Sequence, residues 1–223
     1  MNTNLYIVDY PRKTDFAEGG HVKVEYDYSR FVTCPECGSR VSGVRWKQPR
    51  EVVLTKRKAP DFLYVYSGSS PFVISHNALE KIQNAGLTGI TCAEEVETVR
   101  FQRKAKTEIP IPRYYYIDLA RSCITINHEK SKIVYQPSKG RKICRLCQQV
   151  PAMYNFFRKL CLNTDNYEGY DIFQIYELGD AVFLSQRFVD FCNENNLTNL
   201  HFSPAQVYGQ WMASYFLDGN EDA

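Results

Sequence analysis

The chain has 223 residues, of which 44% are hydrophobic and 23% charged, and its formal net charge is +2. That size and balance suit a soluble globular protein with a sizeable core, and exclude collagen-like and highly charged disordered chains. No apolar run approaches the roughly 20 residues of a membrane span, and "MNTNLYIVDYPRK" lacks the basic-then-apolar pattern of a secretory signal, so a cytoplasmic protein is expected.

In chain order, runs rich in Val, Ile, Phe and Tyr predict strands at 5–10, 21–28, 51–55, 62–66 and 71–74. Ser75 then stands where a helix N-cap belongs. It precedes Ala78, Leu79 and Ile82, whose spacing makes the apolar stripe of a short helix, and Gly86 is placed to end that helix. Strands follow at 96–102, 114–119 and 132–136, and "FQRKAKTEIPIP" reads as a charged, proline-punctuated linker. Pro151 fits the first position of a helix running "AMYNFFRKLCL". Strands at 172–176 and 181–184 lead to a second N-cap, Ser185, and a second stripe, Phe188, Val189 and Cys192. Ser203, Pro204 and Gln206 read as the start of a last helix carrying Val207, Trp211 and Tyr215.

Two CxxC pairs stand out, Cys34/Cys37 and Cys144/Cys147, and the second follows the first by 110 residues (144 − 34). The same offset lays the segment from Asp61 over the segment from Asp171 without a gap. Asp61, Tyr66, Ser75, Leu87 and Thr88 coincide with Asp171, Tyr176, Ser185, Leu197 and Thr198. Each copy reads strand, turn, strand, serine cap, helix, "LT", and "LYIVD" from Leu5 lies near "YYIDL" from Tyr115. A duplicated α+β chain is therefore expected: two pseudo-repeated halves, 1–106 and 107–223, of mostly antiparallel strands with short helices, packed as one compact unit.

In a reducing compartment, eight cysteines are metal ligands and small core residues rather than a disulfide framework. Four thiolates from Cys34, Cys37, Cys144 and Cys147 suit one tetrahedral Zn2+ in a zinc-ribbon-like site, which leaves no open position and is structural. Gly38 supplies the backbone freedom that the turn after a knuckle needs, whereas Gln148 holds the matching place in the second. A dithiol redox centre, plain thiols and an iron–sulfur cluster remain open on spacing alone. Cys92, Cys123, Cys161 and Cys192 have no paired spacing and are expected to be mostly small buried residues.

Signs of catalysis are weak. His21, His76, His128 and His201 form no HExxH or related pattern, and no phosphate-binding or nucleophile-elbow motif is present. Cys123 with His128 is imaginable as a nucleophile pair, and Glu94, Glu95, Glu97 and Asp165 pick out no acid/base pair. Arg45, Lys47, Arg50, Lys56, Arg57 and Lys58 cluster near one knuckle with Trp46 among them, and "KSKIVYQPSKGRKICR" repeats the theme at the other. A zinc-ribbon nucleic-acid binder would look like this, but the near-neutral charge favours an ordinary solvated basic face.

The order of "FVTCPECG", "WKQPREVVLT", "PDFLYV", "PFVIS", "GLTGI", "RYYYIDL", "YEGYDIFQIYE", "FLSQRFVDF" and "LTNLHFSPA" resembles the double-CXXCG motif family of bacterial immunity proteins, over residues 4 to 211. "CRLCQ" departs from that pattern in lacking the second glycine. The resemblance implies a non-enzymatic protein that binds and neutralises one cognate swarming-inhibition toxin, with the four CxxC cysteines as its metal ligands. It also implies a protein interface, for which Trp46, Trp211, Tyr208, Tyr215 and the tyrosines of "RYYYI" are candidates, although most are expected in the core.

Overall fold

The structure, a computed structural model, describes residues 4–9, 18–20, 25–27, 34–36, 38, 45–54, 59–65, 72–101, 110–134, 156–179 and 181–208. Before the first helix lie strands β1 (Leu5–Val8), β2 (Glu18–Gly20), β3 (Tyr26–Asp27), β4 (Arg45–Trp46), β5 (Glu51–Leu54), β6 (Phe62–Val65) and β7 (Phe72–Ser75). Helix α1 (His76–Asn84) leads to β8 (Ile90–Glu95), β9 (Thr98–Phe101), β10 (Tyr114–Ser122), β11 (Thr125–Ile126), β12 (Lys132–Val134), β13 (Phe156–Lys159), β14 (Leu162–Asn163) and β15 (Ile172–Ile175). A 3-10 turn (Tyr176–Leu178), β16 (Val182–Ser185), α2 (Gln186–Glu194), β17 (Phe202–Pro204) and a last 3-10 turn (Ala205–Val207) complete the described chain.

The fold is mixed α+β, mostly strands with two short helices among the described residues. Its main sheet runs β17-β1-β16-β15-β10-β7-β6-β2-β5-β9, with β8 also on β10. The sheet curls: Val8 of β1 shares a core cluster with Phe62 and Tyr64 of β6, and the Tyr64 hydroxyl donates to the Asp9 carbonyl at 3.1 Å. Strands from both sides of residue 107 join in this sheet, with β1 between β17 and β16, and β10 between β15 and β7.

Local chemistry accounts for the helices. Ser75 and Ser185 are extended N-caps whose hydroxyls accept the N–H groups of Ala78 and Phe188. Ala78, Leu79 and Ile82 on α1, and Phe188, Val189 and Cys192 on α2, are the buried faces. Both helices end on a residue of positive φ, Gly86 (62°) and Asn196 (51°), and the next N–H returns to a carbonyl of the last turn. Asparagine tolerates that conformation better than other side chains do.

The elements β6, β7 and α1 are each met again 110 residues later as β15, β16 and α2 (172 − 62, 182 − 72, 186 − 76). Their outer neighbours are crossed over. Strand β10 flanks β7, with Tyr114 opposite Ser75, while β1 flanks β16, with Leu5 opposite Ser185. In turn β8 lies on β10 and β17 on β1, with Tyr115 opposite Glu95 and Tyr6 opposite Pro204. Among the described residues, three apolar clusters fill the interior. One, containing Phe62, Ile74, Ile117, Ile172, Leu184 and Phe188, lies beneath both helices.

Two expected helices are corrected. Residues 156–159 form β13, paired with β12, instead of continuing a helix from Pro151. Phe157 and Leu160 are buried while Arg158 and Lys159 are exposed, and a distant strand partner decides between the two periods that this short run allows. Ser203 and Pro204 belong to β17. The Ser203 hydroxyl bonds the Asp9 carboxylate at 3.0 Å instead of capping a helix, and after one 3-10 turn Tyr208 is extended again. Trp211 and Tyr215 lie outside the described residues. Strands β2, β4, β8, β11, β14 and β17 have no counterpart among the expected strands; all but β8 have only two or three residues, too short to show a period.

Candidate functional site

The first knuckle lies between β3 and β4, which pair as an antiparallel hairpin with Tyr26 opposite Trp46. Cys34 is buried, residues 35–36 form a turn, and the Gly38 N–H donates to the Cys34 carbonyl at 2.8 Å. Gly38 has φ +70°, the left-handed conformation expected of it from the sequence. Of the other proposed ligands, Cys37, Cys144 and Cys147 lie outside the described residues. Among the described residues, no three Cys, His, Asp or Glu side chains come together as a metal set.

Of the basic residues beside this turn, Arg45 and Arg50 point inward, Lys47 is exposed, and Lys56, Arg57 and Lys58 lie outside the described residues. Arg50 is 2% exposed; its Nε donates to the Trp46 carbonyl, its Nη2 meets Glu94 at 2.6 Å, and its guanidinium lies 4.6 Å over the Tyr116 ring. The ring face gives the buried charge a partner besides Glu94 and the Trp46 carbonyl. Arg45 bonds the other oxygen of Glu94 at 2.5 Å and Asp118 at 3.2 Å. Burial works to raise the Glu94 pKa, but the contacts with Arg50 and Arg45 outweigh it and hold the carboxyl below its ordinary value. These two arginines fasten the knuckle hairpin to β8 and β10, and Arg50 is sealed from any polyanion.

At the centre, two carboxylates make a reciprocal clasp. Asp61 accepts from the Ser75 hydroxyl, the cap of its own helix, and from the N–H and hydroxyl of Thr198 after the other helix. Asp171 accepts from Ser185, and from the N–H and hydroxyl of Thr88. The coincident Asp, Ser and Thr positions of the sequence are thus joined crosswise. Burial would raise the Asp61 pKa; the bonds from Thr198, Ser75 and Asn77 prevail and lower it. The helix ends are crossed too: Arg187 donates to the Ala85 and Gly86 carbonyls, and Lys81 to the Asn195 carbonyl.

Among the described residues, Cys123 and His128 each bond a carboxylate and not each other. The Cys123 N–H and the Ser122 hydroxyl bond Glu168, whereas His128 pairs with Glu177 at 3.0 Å. The hydrogen bond and charge of Glu168 raise the pKa of the exposed Cys123 thiol, the opposite of what a reactive thiolate requires. Glu168 itself is held down at about 2; burial opposes this, but the bonds from Ser122 and Cys123 prevail. Cys192 is buried, as expected of small core residues, whereas Cys92 and Cys161 are half-buried.

Of the candidate interface aromatics, Trp46, Tyr114 and Tyr116 are core residues, and Tyr115 and Tyr208 are half-buried. Tyr176 was not singled out, yet it is 54% exposed and Arg121 lies 5.6 Å over its ring. Its signal in the sequence was slight: it follows four buried residues, Ile172 to Ile175, and precedes the turn at Gly179. No helix among the described residues is long and apolar enough to cross a membrane.

Residues 93–207, more than half of the chain, match the immunity protein family Imm11, and the chain belongs to that family. An immunity family is also what the order of sequence motifs implied. No curated protein matches the chain.

Proposed function

We propose that this chain is a non-enzymatic immunity protein that binds and neutralises one cognate bacterial toxin in the cytoplasm. The observation that carries the reading is the Imm11 match over residues 93–207. A binder of this kind needs a rigid scaffold and a complementary surface, and the crossed Asp61–Thr198 and Asp171–Thr88 clasps supply rigidity. We read the two hairpin–helix units as copies of one ancestral half, on the strength of their common offset and matched capping. The test is co-expression with the toxin domain encoded beside it. Rescue of growth and co-purification are expected; neither rescue nor a complex would sink the reading.

We further propose that Cys34, Cys37, Cys144 and Cys147 hold one structural zinc. The buried Cys34 and the left-handed turn at Gly38 fit a thiolate knuckle. When bound, the ion supplies a cross-link between distant segments, and no chemical step is assigned to it. We expect about one zinc per chain, loss of stability on chelation, and equal effects of Cys34→Ser and Cys144→Ser. A Cys144→Ser protein with full metal content and stability would overturn the shared site.

A further inference from the structure

We propose that the toxin is gripped at the edge formed by the end of β10, the β11 turn and the 3-10 turn after β15, with Tyr176 as the anchor and Arg121 beside it. The inference rests on the immunity reading and adds the surface.

Tyr176 is the most exposed large apolar side chain among the described residues. At 54% exposure the ring keeps a face that a partner can cover. The backbone beneath it is pinned on every side. Ile175 before it is fully buried, and Leu178 packs on the same core cluster. The Glu177 carboxylate takes the Ile126 N–H and pairs with His128 at 3.0 Å. The Gly179 carbonyl accepts Arg121 Nη1 at 3.4 Å, and the same guanidinium covers one face of the phenol ring. The turn closes with the Ala181 N–H on the Leu178 carbonyl at 3.0 Å. The ring therefore meets a partner with little further ordering, which is the entropic cost that weakens flexible contacts. Tyrosine and arginine are also the side chains that most often dominate binding energy once water is excluded.

The position supports a toxin-directed role. Arg121, His128, Tyr176, Glu177 and Gly179 all lie within residues 93–207, the stretch that carries the family match, while the first knuckle lies outside it. The chemistry of the edge selects the class of occupant. Glu177 directly follows the ring in sequence and Glu168 bonds Ser122 at the end of β10, so this edge carries carboxylates that repel a phosphate backbone, and base stacking on Tyr176 is disfavoured. A protein pocket fits: apolar walls for the ring, with carbonyl acceptors at the rim for the phenol and guanidinium.

The test compares the full chain with Tyr176→Ala, Arg121→Ala and a control on the helix layer, Asn193→Ala, titrated into an inactivated toxin domain by calorimetry. Thermal melts run alongside. Tyr176→Ala should weaken binding at least about tenfold and abolish rescue with an unchanged melting temperature, Arg121→Ala should weaken it less, and the control should bind like wild type. A wild-type chain that binds while Tyr176→Ala and Arg121→Ala both bind within about twofold of it overturns the surface and leaves the immunity reading intact. A wild-type chain that does not bind removes both. Binding of a single-stranded oligonucleotide that depends on Tyr176 would overturn the class of partner.

Discussion

The hairpin–helix unit that begins at Asp61 and the one that begins at Asp171 share caps, buried faces and a crossed carboxylate, yet differ wherever a neighbour differs. Gly89 and Asn199 occupy matching positions, both with positive φ. At Gly89 a Cβ would lie 1.8 Å from the Ile172 carbonyl oxygen, so no side chain fits. At Asn199 the matching carbonyl, that of Phe62, is instead bonded by the asparagine side chain at 2.6 Å. Asn77 bonds Asp61 where Arg187 bonds Asp171 and also caps the opposite helix. Beside the first unit, Glu94 and Asp118 are bridged by Arg45; 110 positions away those places hold Pro204 and Val8, and the adjacent Ser203 and Asp9 bond each other instead. The same backbone problem is solved twice with different side chains, because the two units meet different neighbours.

The comparison can be broken first in the core. Phe183 stacks on Phe173 under the second unit at a ring separation of 5.7 Å, whereas the matching residues of the first unit are Val73 and Leu63. Phe183→Ala should cost about 3–5 kcal/mol and Val73→Ala about 2 kcal/mol, by denaturant titration. Equal costs would mean that the two units do not differ in how they fill their interiors.

Next come the clasp carboxylates. Asp171 is buried and Asp61 only half-buried, so Asp171→Ala should destabilise by about 3 kcal/mol and Asp61→Ala by about half as much. A double-mutant cycle of Asp61 with Thr198 should show coupling, and the pairing of Asp61 with Thr88 should show none. Because hydrogen bonds depress the folded Asp61 pKa, its contribution is present above the ordinary value of 3.8 and is lost as pH falls through the folded value. Asp61→Asn should therefore flatten the acid limb of a stability–pH profile.

The smallest effect separates Asp9 from Asp118. Burial outweighs the Ser203 hydrogen bond and the His201 charge and raises the Asp9 pKa. Its contribution is thus present below 3.8 and lost as pH rises through the folded value, so Asp9→Asn should raise Tm modestly at neutral pH. Asp118→Asn, which removes a partner of Arg45, should lower it. Shifts of the same sign would erase this distinction.

Much of the local structure was legible. Ser75 and Ser185 as caps, the stripes of α1 and α2, the turn at Gly38 and most of the strands follow from spacing and backbone preference within a few residues. The common offset of the two units was also visible in the sequence. What the sequence left open depended on partners far along the chain. A run around Phe157 suited helix or strand until β12 supplied a ladder, and Ser203 became a bond to Asp9, 194 positions away. Arg45 and Arg50 read as a basic face because their carboxylates, on Glu94 and Asp118, come from later strands. Above all, each aspartate bonds the threonine that follows the other unit's helix, and β1 and β10 each flank the other unit's hairpin. Capping and apolar period are short-range properties written in neighbouring residues, whereas the choice between a unit's own threonine and its twin's is made only when the whole sheet closes around one core.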